Sequence, residues 1–290
     1  MGVHIRLLFV MIFWGSAFVS GRMLALQYHP IAIAFSRFLL ASCLLVPTLY
    51  LKEGRILPLE KKSYFKFLLL GMFGIFAYNV CFLFGLKMVE AGRSSVVIAL
   101  NPVVTAIFSA IFFKESIHFK KAIGIILGIF GALVVLTKGK FSGLLSIGQG
   151  ELFLMGAVVS WVTYTLVGKK FIQKLSILEV TTWSCLFGSL ILLPLSIFNG
   201  LDFLWSHLSI IDFFNIANLG VFSTYLGFIW YYEGVKILGA TNATSYINFL
   251  PVIGVICGII FLNEAPGPSL YVGACITILG VFLVNRKIKS

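Results

Sequence analysis

Long stretches of this chain contain almost no polar side chain, and their length is what a bilayer demands. A helix crossing a hydrocarbon core of ~30 Å needs about 20 mostly apolar residues, within a range of roughly 17 to 25. Runs of that kind lie near residues 6–26, 31–51, 65–86, 93–113, 121–137, 149–168, 177–198, 211–234, 239–262 and 269–286. The stretches from Phe67 to Leu86, Ser94 to Phe113 and Ile237 to Asn263 carry no charge at all. The pattern predicts an all-α integral membrane protein with ten transmembrane helices.

The pattern also repeats. Residues 71–135 slide onto 220–284 at a fixed offset of 149, without a gap, giving 16 identities in 65 positions. Shared apolar composition would match Leu and Ile by chance. It would not match Gly71 with Gly220, Lys87 with Lys236, Pro102 with Pro251, Glu115 with Glu264 and Gly131 with Gly280 at one offset. Upstream, Trp14 aligns with Trp161 and Pro47 with Pro194. The first run is therefore expected to be structure and not a cleaved leader. Two units follow, residues 1–140 and 141–290, each of five helices. Five is odd, so the second unit is expected to enter the membrane inverted relative to the first. Inverted repeats are a recurrent device of secondary transporters, because a central site between them opens to either side.

Composition narrows the picture. Of 290 residues, 60% are hydrophobic and 11% charged, against roughly 25% charged in soluble domains. The net charge of +12 does not gather on one basic face, which argues against a nucleic-acid partner. The Lys and Arg sit instead in short clusters between runs. With the N-terminus inside, sixteen of them fall on the cytoplasmic side and five on the other, with Arg37 inside a span. The positive-inside rule then places both termini in the cytoplasm.

Candidate chemistry is sparse. Arg37 is the one clearly intramembrane charge, and its placement in lipid costs about 2.5–3.5 kcal/mol on insertion scales. It reads as a carboxylate clamp or as a packing anchor. The anchor is the expectation, because its repeat counterpart is Ser184. Pro102 and Pro251 each remove a backbone hydrogen bond in mid-span, which predicts bends beside a cavity. Ser94, Ile98, Asn101 and Thr105 fall on one stripe at helical spacing, and Thr241, Thr244 and Asn248 on another. Amides and hydroxyls there bind a solute or glue helices together. Trp14, Tyr78, Asn79 and Trp161 lie too deep for the interfacial belt. With Asn101, Tyr164, Tyr231 and Asn248 they form the expected substrate site. Gly124, Gly128 and Gly131, with Gly273 and Gly280, resemble small-residue packing faces, with a homodimer as one use for them.

Several chemistries have no residues to carry them. The five cysteines lie singly in apolar runs, without metal-ligand spacing, and read as small buried hydrophobes. No Walker loop or HExxH motif occurs. No mid-membrane His faces a Ser, and no aspartate pair is available for intramembrane hydrolysis. No catalytic residue, metal site or cofactor is expected. The partners expected are a small-molecule substrate and the lipid bilayer.

Trp14-Gly15-Ser16-Ala17-Phe18, Arg37-Phe38 with Ala41, and Pro102-Val103 with Glu115, Gly124 and Gly131 resemble the drug/metabolite transporter superfamily. The ten-helix EamA-type carriers are the specific likeness, and it spans essentially the whole chain. Pro251-Val252, Glu264, Gly273 and Gly280 repeat the pattern. Glu115, Glu264, Pro102, Pro251 and Arg37 take structural roles in this reading. The resemblance implies a central cavity built from the first, third, fourth, sixth, eighth and ninth helices. It also implies an inner or plasma membrane home and an export role for amino acids, other metabolites or drugs. The absence of a buried carboxylate favours a zwitterionic or amphiphilic solute over an organic cation. A multidrug exporter of the same fold, or a channel, is the alternative.

Overall fold

A computed structural model describes residues 2–54, 63–113, 118–139, 148–172, 175–238, 243 and 246–285. Every regular element among them is helical. Eight helices are long and apolar enough to cross a membrane, and two shorter apolar ones, Tyr246–Leu262 and Pro268–Val284, join them. Large apolar side chains such as Phe112, Phe198 and Ile260 project outward, as expected where the outer surface meets hydrocarbon.

The chain opens with α1 (Val3–Gln27) and α2 (Pro30–Glu53). Pro30 starts α2 at the first-turn position, where its missing N–H costs nothing. Gly54 ends it in the left-handed conformation, φ 69°, which a glycine adopts without strain. The third span runs α3 (Ser63–Leu70), a π-helical segment Gly71–Ala77 and α4 (Tyr78–Met88). Then come α5 (Ala91–Ile98), α6 (Asn101–Phe113) and α7 (Phe119–Leu136). The later half holds α8 (Gln149–Ile172), α9 (Ile177–Phe198), the short α10 (Leu201–Ser206) and α11 (Ile210–Ala217). A second π-helical segment, Asn218–Leu226, leads into α12 (Gly227–Leu238). A 3₁₀ turn at Tyr246–Phe249, α13 (Leu250–Leu262) and α14 (Pro268–Asn285) complete the chain.

Each proline stands just after a break in its helix, in the first turn of the segment that follows. Pro102 separates α5 from α6 at Ala99–Leu100, and Pro251 sits in the first turn of α13 behind the 3₁₀ turn. One consequence corrects the expected stripe. Ser94 and Ile98 lie on α5 and Asn101 and Thr105 on α6, so the break at Pro102 divides them. Asn248 falls within the 3₁₀ turn, while Thr241, Thr244 and Glu115 lie outside the described residues.

The glycine faces meet each other within one chain. A Cβ on Gly280 would stand 2.3 Å from the Gly128 nitrogen, and one on Gly131 2.5 Å from the Thr277 nitrogen. Backbone therefore lies against backbone between α7 and α14, the contact that small residues permit.

The two π-helical segments occupy positions related by the same offset of 149, with Gly71 and Gly220 at matching places. A π turn leaves a carbonyl short of its N–H donor, and side chains here supply one. Thr224 donates its hydroxyl to the Leu219 carbonyl at 2.8 Å, and Asn79 donates Nδ2 to the Gly74 and Ile75 carbonyls at 3.4 and 2.9 Å. Such segments recur at functional sites.

Candidate functional site

A cavity of about 40 Å³ lies where α1, α2, α4, α6, α8 and α12 converge, its wall including Trp14, Arg37, Tyr78, Asn101, Trp161 and Phe228. That volume holds a water molecule or two. The wall is chiefly aromatic. Trp14 and Trp161, the pair aligned by the internal repeat, meet edge to face at 6.0 Å. Tyr78 packs on Trp161 at 5.0 Å and stacks on Phe82 at 5.7 Å. Trp14 is fixed in place because its indole N–H donates to the Ser223 carbonyl at 2.9 Å, and rings pinned in this way form a rigid apolar wall.

Arg37 reaches this wall from α2 and is 4% exposed. It stands about 10 Å along α2 from Pro30, at 1.5 Å per residue. Its Nε donates to Thr224 Oγ1 at 2.8 Å and its Nη1 to Asn79 Oδ1 at 3.0 Å. Both acceptors are neutral, and both are held by the π-segment carbonyls described above. Asn101 lines the same cavity, with its Oδ1 buried and without a hydrogen-bond partner.

Of the expected substrate residues, the structure brings Trp14, Tyr78, Asn101 and Trp161 together at the cavity. Asn79 stands behind the wall and holds Arg37. Tyr231 packs on Trp14 at 5.0 Å from outside the lining. Tyr164 is buried behind Trp161, 5.4 Å from it, and accepts a hydrogen bond from Tyr232 at 2.8 Å. Asn248 is half-buried next to the lining residue Ile247, and its Oδ1 has no partner. Phe18 and Phe82, aromatic candidates of the sequence that stand outside the expected site, are wall residues too. So is Phe228, which the sequence marks only by its place in an aromatic run.

The two ends of the bundle differ. At the end bearing Gln27 and Ala91, Glu264 accepts from the Ala91 and Gly92 backbone nitrogens at 2.6 and 3.0 Å. Arg22 lies 3.5 Å from Glu264 and donates to the Leu86 and Val89 carbonyls at 2.7 and 2.6 Å. Arg93 donates to the Leu136 carbonyl at 2.9 Å and lies 3.5 Å from Glu151. The Glu264 and Glu151 contacts tie the two sequence halves together and close that end. At the end bearing Val3 and Glu53, a vestibule of about 460 Å³ opens between α2, α9 and α12. Tyr232 lines the vestibule and donates to Tyr164, which packs on Trp161 of the cavity wall, so this pair stands between a vestibule residue and a cavity residue. Glu53 and Ser176 hydrogen-bond across the mouth, and Arg6 pairs with Glu233 at 2.5 Å. Among the described residues no group of three or more His, Cys, Asp or Glu gathers as a metal site would require.

Comparison with known proteins agrees with this architecture. The EamA-like transporter family matches residues 2–137 and again residues 148–286. An uncharacterized transporter of Bacillus subtilis, YyaM, is 30% identical over 295 residues, covering 100% of this chain and 95% of that protein. An uncharacterized transporter of Archaeoglobus fulgidus is 30% identical over 275 residues, covering 95% of each. A protein of Streptantibioticus cattleyicolor named a probable terminal-alkyne amino-acid exporter is 26% identical over 286 residues, covering 97% of this chain and 92% of that one. A solved crystal structure superposes at a TM-score of 0.67 over 97% of this chain and 96% of its own, at 14% identity. At that identity the likeness speaks for the fold alone. These three relatives carry the names of transporters and not of enzymes.

Proposed function

The chain belongs to the EamA-like transporter family, a multi-pass membrane protein, and we propose that it is a secondary carrier passing a small solute through the central cavity by alternating access. The observation that carries the reading is a cavity walled by both halves, closed at one end by Glu264 and Arg22 and leading at the other towards a vestibule behind one tyrosine pair. A carrier needs one site with two barriers that open in turn.

In this reading the ten apolar helices are ten spans in two inverted five-helix repeats, 1–140 and 141–290. Both termini face the cytoplasm of an inner or plasma membrane. The vestibule end is then cytoplasmic, and Lys52 and Lys236 at its rim are among the sixteen cations on that side. Trp14, Tyr78, Asn101 and Trp161 contact the solute. Asn79, Tyr164, Tyr231 and Asn248 support them from behind or beside the wall. Export of amino acids or related zwitterions is supported by the exporter named among the relatives and by a wall of amides and rings without a carboxylate.

Counterflow in proteoliposomes tests the reading. Vesicles preloaded with unlabelled amino acids should take up labelled ones faster than empty vesicles, with saturation. Flux that never saturates and shows no stimulation from the far side would identify a channel and overturn the proposal.

A further inference from the structure

We infer that Arg37 is the anion-binding residue of the central cavity, and that the solute presents it a carboxylate. The inference rests on the central cavity being the substrate site, as proposed above.

Four described arginines with hydrogen-bonded guanidinium groups divide into two kinds. Arg6, Arg22 and Arg93 lie near helix ends, and each has a carboxylate within ion-pair range, Glu233, Glu264 and Glu151 respectively. Arg37 is 4% exposed, and among the described residues no carboxylate reaches it. The cation in the least polar surroundings is the one without a counter-ion. A guanidinium does not escape this by losing its proton, and an unpaired buried charge is strongly disfavoured.

Its hydrogen bonds show what is missing. Nε and Nη1 are directed to Thr224 and Asn79, neutral acceptors that fix the plane of the group without neutralising it. Nη2 has no protein partner among the described residues, and the residue lines the cavity. A guanidinium held in a fixed plane with one nitrogen left over is suited to donate a charge-assisted hydrogen bond to a carboxylate. The anchor expected from sequence is thus half of the role: two nitrogens hold helices, and the third is left for a ligand.

The rest of the wall completes the class. Asn101 Oδ1 is a buried acceptor awaiting a donor, which an ammonium supplies. The Trp14 and Trp161 rings accept an apolar side chain or the face of a cation. Carboxylate, ammonium and apolar body together describe an apolar α-amino acid. The cavity must widen to admit one, since its volume here is about 40 Å³.

Four probes on the purified chain in lipid nanodiscs separate the contributions: L-phenylalanine, 3-phenylpropanoate, L-phenylalaninamide and 2-phenylethylamine. Titration calorimetry, with thermal shift as a second readout, should find both acids binding roughly 10- to 150-fold tighter than the two probes without a carboxylate, the range for one charged hydrogen-bonding partner. Arg37→Gln should erase that preference, Arg37→Lys should keep part of it, and Asn101→Leu should weaken phenylalanine but not phenylpropanoate. The acid preference of the unaltered protein decides the matter alone if Arg37→Gln fails to fold. Equal affinity for acid and amide, a preference that survives Arg37→Gln, or failure of both acids to bind overturns the assignment. Acids that bind through Arg37 yet show no counterflow would leave the anion subsite standing and remove the carrier reading. A loss of all four probes in Trp14→Ala without any acid preference would do the reverse.

Discussion

Asn101 shows how a single residue separates stability from binding. Its Oδ1 is buried without a hydrogen-bond partner, an arrangement that costs a folded protein about 1–3 kcal/mol. Removing the amide therefore takes no bond from the folded state. Asn101→Ala should leave the thermal midpoint unchanged or raised, while weakening a bound solute about 5- to 150-fold through the loss of one hydrogen bond. Tyr271→Ala, at a side chain 51% exposed on the outer surface, should change neither quantity. Calorimetry and a melting curve on both variants check this, and a large fall in the Asn101→Ala midpoint would show that the amide serves packing. Depth of this kind was legible in the sequence, because position along an apolar run sets height in the membrane. Rotation about the helix axis was not. Tyr164 and Trp161 are three residues apart on one helix, about 4.5 Å in height, yet Trp161 lines the cavity and Tyr164 stands behind it. Arg37 and the deep amide Asn79 are both legible in the sequence, but their pairing across 42 residues, and that of Arg37 with Thr224 across 187, is not.

Between elements, the governing contacts are helix termini and close backbone approaches. Glu264 gives both oxygens to the first N–H groups of α5, where the positive end of the helix favours an anion. Glu264→Ala removes this cap and the pairing with Arg22 together. It should loosen the closed end and speed alkylation of a cysteine at Ile98, a cavity residue, by an impermeant maleimide applied from that side. Unchanged rates would mean the closure rests on apolar packing alone. Gly280→Ala sets a Cβ 2.3 Å from the Gly128 nitrogen, so α7 and α14 must part. Overpacking of this kind costs about 1–3 kcal/mol, and folded yield and thermal midpoint should fall, while Gly267→Ala, with its nearest neighbour at 3.9 Å, is silent. His29 precedes α2 and accepts from the Ile31 nitrogen at 3.4 Å. Desolvation, and then Lys87, hold it below the ordinary imidazole value of 6.5. A depressed folded value favours the neutral ring, so this contribution is full above the unfolded value of about 6.5 and declines as pH falls through it. Melting curves between pH 7.5 and 5.5 should drop more for the unaltered protein than for His29→Asn, whose cap does not titrate. The prolines announced the breaks at Leu100 and Phe249. The π segments were not legible, since Gly71–Ala77 and Asn218–Leu226 read as ordinary apolar helix until neighbouring carbonyls and side chains are in view.

At the scale of the whole molecule the two ends are unlike, and that asymmetry ties conformation to orientation. Hydropathy alone made the helical membrane architecture legible, because a hydrocarbon solvent leaves few options for a backbone. Which end is open is a property of packing, and no periodicity reports it. The end bearing Gln27 is bound across by Glu264, Arg22 and Arg93. The end bearing Glu53 holds the vestibule of about 460 Å³, with Lys236 exposed at its rim. If the positive-inside rule orients the chain, the vestibule faces the cytoplasm, and the protein rests ready to receive solute from within. In a background lacking the exposed Cys43 and Cys275, Lys236→Cys should then react with an impermeant maleimide in inside-out vesicles and stay unlabelled in intact cells. Gln27→Cys, at an exposed position of the closed end, should do the opposite. A cysteine at Ile98 should react from the vesicle side only, and more slowly than Lys236→Cys, because the Tyr232–Tyr164 pair stands between vestibule and cavity. Tyr232→Phe, which removes the donated bond and keeps the ring, should narrow that difference in rate. Labelling of Lys236→Cys in intact cells would reverse the orientation and make the open end the outer one. Rapid labelling of the cavity cysteine from both sides at once would rule out alternating access, since a carrier never leaves both barriers open.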